Sequence, residues 1–118
     1  MYKRQPQYSC NCHTINIYNA NKTLIDRNDL RNLTAGDLIY IGVVANNGYP
    51  NYLVDKARIR INRNYWLAQD ETSEKLTAGS SGHLTEFVKS YVIPEGVLSF
   101  KIEAEVHLNA PSPIGGWR

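Results

Sequence analysis

The chain has 118 residues, of which 42% are hydrophobic and 20% are charged, proportions that are ordinary for a soluble protein. A chain of this length closes one hydrophobic core, so a single domain is expected. The formal net charge of +2 comes from basic residues that alternate with acidic ones, which argues against nucleic acid as a partner. No apolar stretch approaches the roughly 20 residues that a membrane helix needs, so no membrane span is predicted.

Residues 1–13 are predicted to form an N-terminal arm. Residues 1–5, MYKRQ, resemble the translated sequencing-adaptor remnant found at the ends of reading frames assembled from metagenomic reads, and a genuine basic N-terminus is the alternative. The arm continues with two thiols and an imidazole, on Cys10, Cys12 and His13. These groups can hold a soft metal, but C-x-C spacing fits neither usual zinc sites nor haem attachment. Intermolecular disulfides and free thiols are the other interpretations, and no cofactor is predicted.

Seven segments of strand length follow, separated by turn residues and with no amphipathic helix between them. They are Thr14–Tyr18, the short Thr23–Ile25, Asp37–Asn46, Lys56–Asn62, the short Tyr65–Gln69, Leu84–Ile93 and Val97–Leu108. Residues 70–82 are predicted to be a polar loop, in which a helical turn over residues 71–76 is an option. This spacing predicts an all-β fold, an immunoglobulin-like antiparallel β-sandwich of about seven strands, spanning residues 14–108. Residues 109–118 are assigned to a C-terminal tail that is a poor strand, because it holds two prolines and two glycines.

The segment from Leu38 to Ala45 is apolar at nearly every position. A turn ending in Gly36 and Asp37 opens it, and an Asn-Asn-Gly sequence closes it. A strand that is apolar on both faces is typical of the centre of a packed sheet.

Two further segments alternate strictly between apolar and charged residues. Lys56, Arg58 and Arg60 are predicted to face outward on one of them, and Glu103 and Glu105 on the other. If the two strands are neighbours, these charges form a cross-strand ladder. A solvated face that sets the register and a charged recognition face are the two interpretations.

The turns and alternation resemble those of the CARDB-type, immunoglobulin-like modules of bacterial and archaeal surface proteins. The resemblance is carried by LTAGDLIYIGVVANNG (residues 33–48) and VIPEGVLSFKIEAEV (residues 92–106), and it covers about residues 14–108. It implies a secreted or cell-surface module without catalytic activity, involved in adhesion or assembly. The tail after Leu108 departs from the pattern, where a final strand is expected. A sandwich of fewer strands, a truncated chain and a strand supplied by another subunit all remain open.

The first functional hypothesis is therefore a structural or adhesive module, not an enzyme, that self-assembles by strand addition through its arm, with filaments as one outcome. Its expected partners are other copies of itself or other surface proteins. The second is carbohydrate binding by aromatic residues in or beside turns, with Trp66 and Tyr91 filling the core as the alternative. These aromatic residues are Tyr49, Tyr52, Tyr65, Trp66 and Trp117. The third is a Cys/His metal site on a surface protein. Asn21 and Asn32 begin glycosylation sequons, which matter only for a chain secreted by a glycosylating host.

Overall fold

The computed structural model describes residues 7–9, 14–26, 32–46, 53–76, 84–96, 100–109 and 116–117, which form eight strands and a 3₁₀ turn at Ala68–Asp70. The strands are β1 (Gln7–Ser9), β2 (Thr14–Tyr18), β3 (Leu38–Asn46), β4 (Leu53–Ile61), β5 (Glu71–Thr72), β6 (Leu84–Val92), β7 (Lys101–Asn109) and β8 (Gly116–Trp117). Within these ranges no helix has the length and apolar character needed to cross a bilayer.

The strands form two sheets that pack face to face. The large sheet has the order β1-β7-β4-β5, with β8 also paired to β7, and the small sheet has the order β2-β3-β6. All pairs are antiparallel except β1 with β7, which is parallel. The predicted all-β sandwich is therefore confirmed.

The core lies between the sheets and follows from the alternation of the sequence. In β7 the residues Ile102, Ala104, Val106 and Leu108 are buried, whereas the residues between them are partly exposed. The central strand β3 is covered on both faces, since Val43 of the inner face and Val44 of the outer face are each at most 4% exposed.

The turn before β3 has the predicted chemistry. The backbone N–H of Thr34 donates to the Asp37 carboxylate at 2.8 Å, and Gly36 takes a φ of +88°, which a glycine adopts without strain.

Two predictions between β4 and β6 are wrong. The segment 65–69 is not a strand, because the Asp70 carboxylate accepts the Leu67 N–H at 2.8 Å and closes the 3₁₀ turn at Ala68–Asp70. Residues 71–76 form no helical turn: Glu71–Thr72 is β5, paired with β4, and Lys75 forms a bridge with Phe87 of β6. Residues 71–76 are therefore extended and not helical, because they pair with strands of both sheets.

Two short segments also differ from expectation. Of the predicted strand 23–25, only Leu24 pairs, as an isolated bridge with Tyr18. In the tail, Gly116 and Trp117 form β8, although a poor strand was expected there. Gly116 has a φ of +122°, a conformation that glycine allows, and the pairing extends over only two residues of β7.

Candidate binding surfaces on the two sheets

The outer face of the large sheet carries the predicted cross-strand ladder. Arg58 lies opposite Glu105 and Arg60 opposite Glu103 in the β4–β7 register. Arg60 donates from Nε and Nη2 to the two Glu103 oxygens at 3.1 Å each, and Arg58 Nε donates to Glu105 Oε1 at 2.8 Å. The Arg60 hydrogen bonds lower the pKa of Glu103 below its usual range. The charges of this ladder are therefore paired.

Trp66 and Trp117, two of the predicted ligand-binding residues, meet on this same face. The Cζ atom of Arg58 lies 4.3 Å from the ring centroids of both tryptophans, and that of Arg60 lies 4.3 Å from Trp66. Lys56 Nζ lies 5.4 Å from the Trp117 ring. We call these five residues the aromatic-cation cluster. Trp66 is half-buried and lies outside the core cluster, so the interpretation that it fills the core is wrong, whereas Tyr91 packs against that cluster.

Of the other predicted site residues, those that the structure describes do not join the cluster. Tyr65 is 55% exposed and contacts the Arg63 guanidinium, whose Cζ lies 5.4 Å from its ring centroid. Asn21 and Asn32 are both exposed, and their glycosylation stays a prediction. The remaining predicted site residues, Tyr49, Tyr52, Cys10, Cys12 and His13, lie outside the described residues.

His107 links Trp117 of the cluster to Asp55, which lies near the start of β4. Its Nδ1 lies 2.7 Å from Asp55 Oδ1, and its ring meets Trp117 edge to face with centroids 5.1 Å apart. The Trp117 side chain is therefore bounded by Lys56, Arg58 and His107, which holds the two-residue strand β8 against β7.

The nine-residue strands β6 and β7 are covered differently on the edge that faces away from their nine-residue neighbour. On β6, the Leu76 N–H donates to the Glu86 carbonyl at 2.8 Å, and the Val88 N–H donates to the Glu74 carbonyl at 2.9 Å. On β7, the edge away from β4 is paired by β1 over residues 101–103 and by β8 over residues 107–108. Among the described strands, none pairs with residues 104–106 on that edge.

The outer face of the small sheet holds a buried carboxylate that sequence reasoning missed. Glu86 is 0% exposed, and the Tyr18 hydroxyl lies 2.7 Å from both of its oxygens. Asn16 Nδ2 donates to Oε2 at 3.2 Å. Burial, followed by the adjacent Glu86 carboxylate, raises the pKa of Tyr18 well above its ordinary value of 10.0, so this phenol keeps its proton and donates a hydrogen bond to the carboxylate.

A glycine makes room for that carboxylate. A Cβ on Gly42, the residue of β3 beneath Glu86, would lie 2.0 Å from Oε2 and 2.9 Å from Tyr18 Cε2. Glycine within a strand often marks such a close approach. Gly42 in an otherwise apolar strand was therefore the one sequence signal that pointed to this cluster.

Comparison of the chain with known protein families, with curated proteins and with solved structures finds no match.

Proposed function

We propose that this chain is an extracellular or cell-surface structural module that associates with other copies by exchanging its first or last strand along the edge of β7. The observation that carries the proposal is the contrast between a nine-residue strand and the three-residue and two-residue strands that pair its outer edge. Such an edge accepts backbone hydrogen bonds from an added strand.

The geometry of β1 supports exchange. It pairs with β7 over three residues in parallel, which is the weaker of the two ladder types. The chain then crosses to the opposite sheet, where β2 begins at Thr14. Exchanging an identical element between copies costs little, because every contact made within one copy is remade between two.

The last strand adds side-chain recognition to the same edge. Trp117 of β8 contacts Lys56, Arg58 and His107 of β4 and β7. A large aromatic anchor held by cations supplies more binding energy than two residues of backbone pairing. The edge of β7 therefore has a binding place for each of the two strands.

The test uses a disulfide that locks β1 in place. Gln7 and Lys101 are register partners, so Gln7→Cys with Lys101→Cys, in a background with Cys10→Ser and Cys12→Ser, closes a bond within one copy when oxidised while dilute. Copies carrying donor or acceptor fluorophores are then mixed. Energy transfer is expected to grow with time for the reduced protein and to be strongly reduced for the oxidised protein.

The same variant serves as its own control, because only the redox state changes. Energy transfer that never exceeds the level of a non-interacting protein, whether the disulfide is open or closed, would contradict the proposal. Transfer that is equal in both states and that also persists after Trp117→Ala would assign association to another surface. Adding Trp117→Ala to the locked variant then measures the share carried by β8.

A second candidate function is carbohydrate binding at the aromatic-cation cluster. The observation that favours it is the meeting of Trp66 and Trp117 on one outer face, since sugars stack on aromatic rings. The cations there are paired with Glu71, Glu103 and Glu105, which favours uncharged over polyanionic sugars. Pull-down by insoluble neutral polysaccharides tests this: Trp66→Ala should abolish retention, whereas Tyr65→Ala, which alters an exposed ring outside the cluster, should not.

A further inference from the structure

A groove opens between the two sheets where β6 faces the segment after β4. Its volume is about 460 Å³, within the ~300–1,000 Å³ typical of small-molecule sites. Its apolar wall is formed by Ile41 of the small sheet and by Ile59 and Ile61 of the large sheet. The rim is polar and includes Arg63, Asp70, Lys89 and Tyr91.

Lys89 is the unusual residue of this rim. It lies opposite Ile41 in the β3–β6 register, and Ile41 is 1% exposed on the inner face of the sheet. Directly paired residues project to the same side of a sheet, so Lys89 starts from the inner face as well. Within the described residues its ammonium group makes no hydrogen bond and no ion pair, although it acts electrostatically on Asp70.

The neighbouring arginine is already neutralised. Arg63 Nη1 donates to Asp70 Oδ2 at 3.0 Å, and Nη2 donates to Oδ1 at 2.5 Å. Asp70 is 2% exposed and also accepts the Leu67 N–H. Because these donors outweigh the effect of burial, the pKa of Asp70 is lowered and the carboxylate stays ionised. The groove therefore keeps one unbalanced positive charge, on Lys89.

Tyr91 adds a neutral donor to the rim. Its ring packs edge to face against Phe100 with centroids 6.4 Å apart, which fixes its position at the mouth of the groove. Burial raises the pKa of Tyr91, so its hydroxyl keeps its proton.

We propose that this groove binds a small monocarboxylate with an apolar body, such as a medium-chain fatty acid. The apolar body lies against Ile61 and the Tyr91 ring, the partly exposed apolar residues of the lining, and the carboxylate pairs with the Lys89 ammonium. One negative charge balances the single unpaired cation, and a ligand without an apolar part would leave this apolar lining unused. This site is separate from the β7 edge and does not depend on the proposed association.

The experiment titrates the full chain with octanoate and with octanol, and follows backbone amide signals by NMR. Octanoate is expected to shift signals of residues around the groove and to bind more tightly than octanol. In Lys89→Met, which keeps most of the side-chain length and removes the charge, octanoate should bind about tenfold or more weakly, whereas octanol should be unaffected. Lys89→Arg should restore most of the octanoate affinity. Lys75→Met, which removes an exposed lysine elsewhere, should leave both ligands unchanged.

A structural role for Lys89 predicts a different pattern. If Lys89 served only the fold, Lys89→Met would lower stability and would not separate the two ligands. We expect the reverse: replacing an unpaired inward cation by methionine should keep or raise the denaturation midpoint while octanoate binding falls. Octanoate shifts confined to other surfaces, no binding at millimolar concentration, or equal octanoate affinity in Lys89→Met would each overturn the proposal. If Lys89→Met fails to fold, Lys89→Gln supplies the same comparison.

Discussion

The outer faces of the two sheets both carry glutamates, but those on the large sheet remain partly exposed to solvent and the one on the small sheet is fully buried. On the large sheet, Glu103 and Glu105 remain partly in water, with side chains 20% and 33% exposed, each paired with an arginine across the strand. On the small sheet, Glu86 has lost all contact with water and is held by Tyr18 and Asn16 above a glycine. The first arrangement tolerates change because solvent can replace a lost partner, whereas the second cannot.

This difference predicts where substitutions are costly. If the buried Glu86 carboxylate loses one hydrogen-bond partner, no water can take that partner's place. Substitutions around Glu86 on the small sheet should therefore lower the free energy of unfolding by a large amount. On the large sheet, replacing an arginine of the ladder should lower the free energy of unfolding mainly because contacts with the tryptophans are lost. The following predictions test this contrast in order of expected size.

The largest effect is expected from Gly42→Ala. The added methyl group would lie 2.0 Å from Glu86 Oε2, and neither the carboxylate nor Tyr18 can move into water to make room. The free energy of unfolding should fall by about 3 kcal/mol. Gly96→Ala is the matched control: nothing lies within 4 Å of its added Cβ, and only its φ of +80° costs energy, about 1 kcal/mol. Equal losses in urea denaturation would contradict the close approach.

Tyr18→Phe should come next. It removes the hydroxyl that donates to Glu86 while keeping the ring, at a cost of about 2 kcal/mol for a hydrogen bond to a charged group. Tyr40→Phe is the control, because Tyr40 is the register partner of Tyr18 and only partly buried. Its loss should stay below about 0.5 kcal/mol. Similar denaturation midpoints for the two variants would show that Glu86 does not depend on Tyr18.

The cost of Tyr18→Phe should itself depend on pH. The pKa of Tyr18 is raised in the folded chain above the ordinary value of 10.0, so the stability that it contributes is complete below pH 10.0 and declines as the pH rises beyond it. The unfolding free energies of the wild type and Tyr18→Phe should therefore converge in alkaline solution. A difference that stays constant from neutral pH to well above pH 10.0 would mean that the phenol titrates normally.

On the large sheet, Arg58→Lys should have a moderate effect of about 1 kcal/mol. Lysine keeps the charge but loses the planar contact with two indoles and the paired hydrogen bonds to Glu105. Arg60→Lys should cost less, since Arg60 contacts Trp66 alone. The chain has only two tryptophans, both in the cluster, so their fluorescence reports the change directly. A larger loss for Arg60→Lys would reverse the assigned order.

The smallest effect is expected from Lys22→Met. Lys22 pairs with Glu74 at 3.7 Å, and both side chains are well exposed, 42% and 60%. Removing such a surface pair changes stability by less than about 0.5 kcal/mol, although Lys22 also lies over the Tyr40 ring. A loss of stability larger than that of Arg58→Lys would show that solvent exposure does not determine how much these charged pairs contribute.

The sequence predicted the outer face of the large sheet better than that of the small one, for a physical reason. Strict alternation in residues 56–61 and 102–108 determined which side chains face the core, and their opposite charges predicted a cross-strand ladder if the strands are neighbours. The register then sets the pairs as Arg58–Glu105 and Arg60–Glu103. Alternation also places Glu86 on the outer face of β6, but it says nothing about whether that face is covered. Burial of Glu86 depends on how the neighbouring strands pack, and Gly42 is the only feature of the sequence that indicated it.

The candidate sites show the same contrast between what the local sequence predicts and what depends on tertiary pairing. Trp66 and Trp117 were singled out as aromatics near turns, but their meeting around Arg58 depends on β8, a two-residue strand that no local pattern predicts. The groove was not foreseen, because Lys89 looks like an ordinary solvent-facing lysine in the sequence. Its inward position follows only from its pairing with Ile41.

Light scattering of the full chain over a wide range of concentrations tests the proposed association at the β7 edge most directly. Exchange of β1 or β8 between copies predicts a molar mass that rises from one chain to two or more as concentration increases. A mass that stays at one chain up to the solubility limit would contradict it.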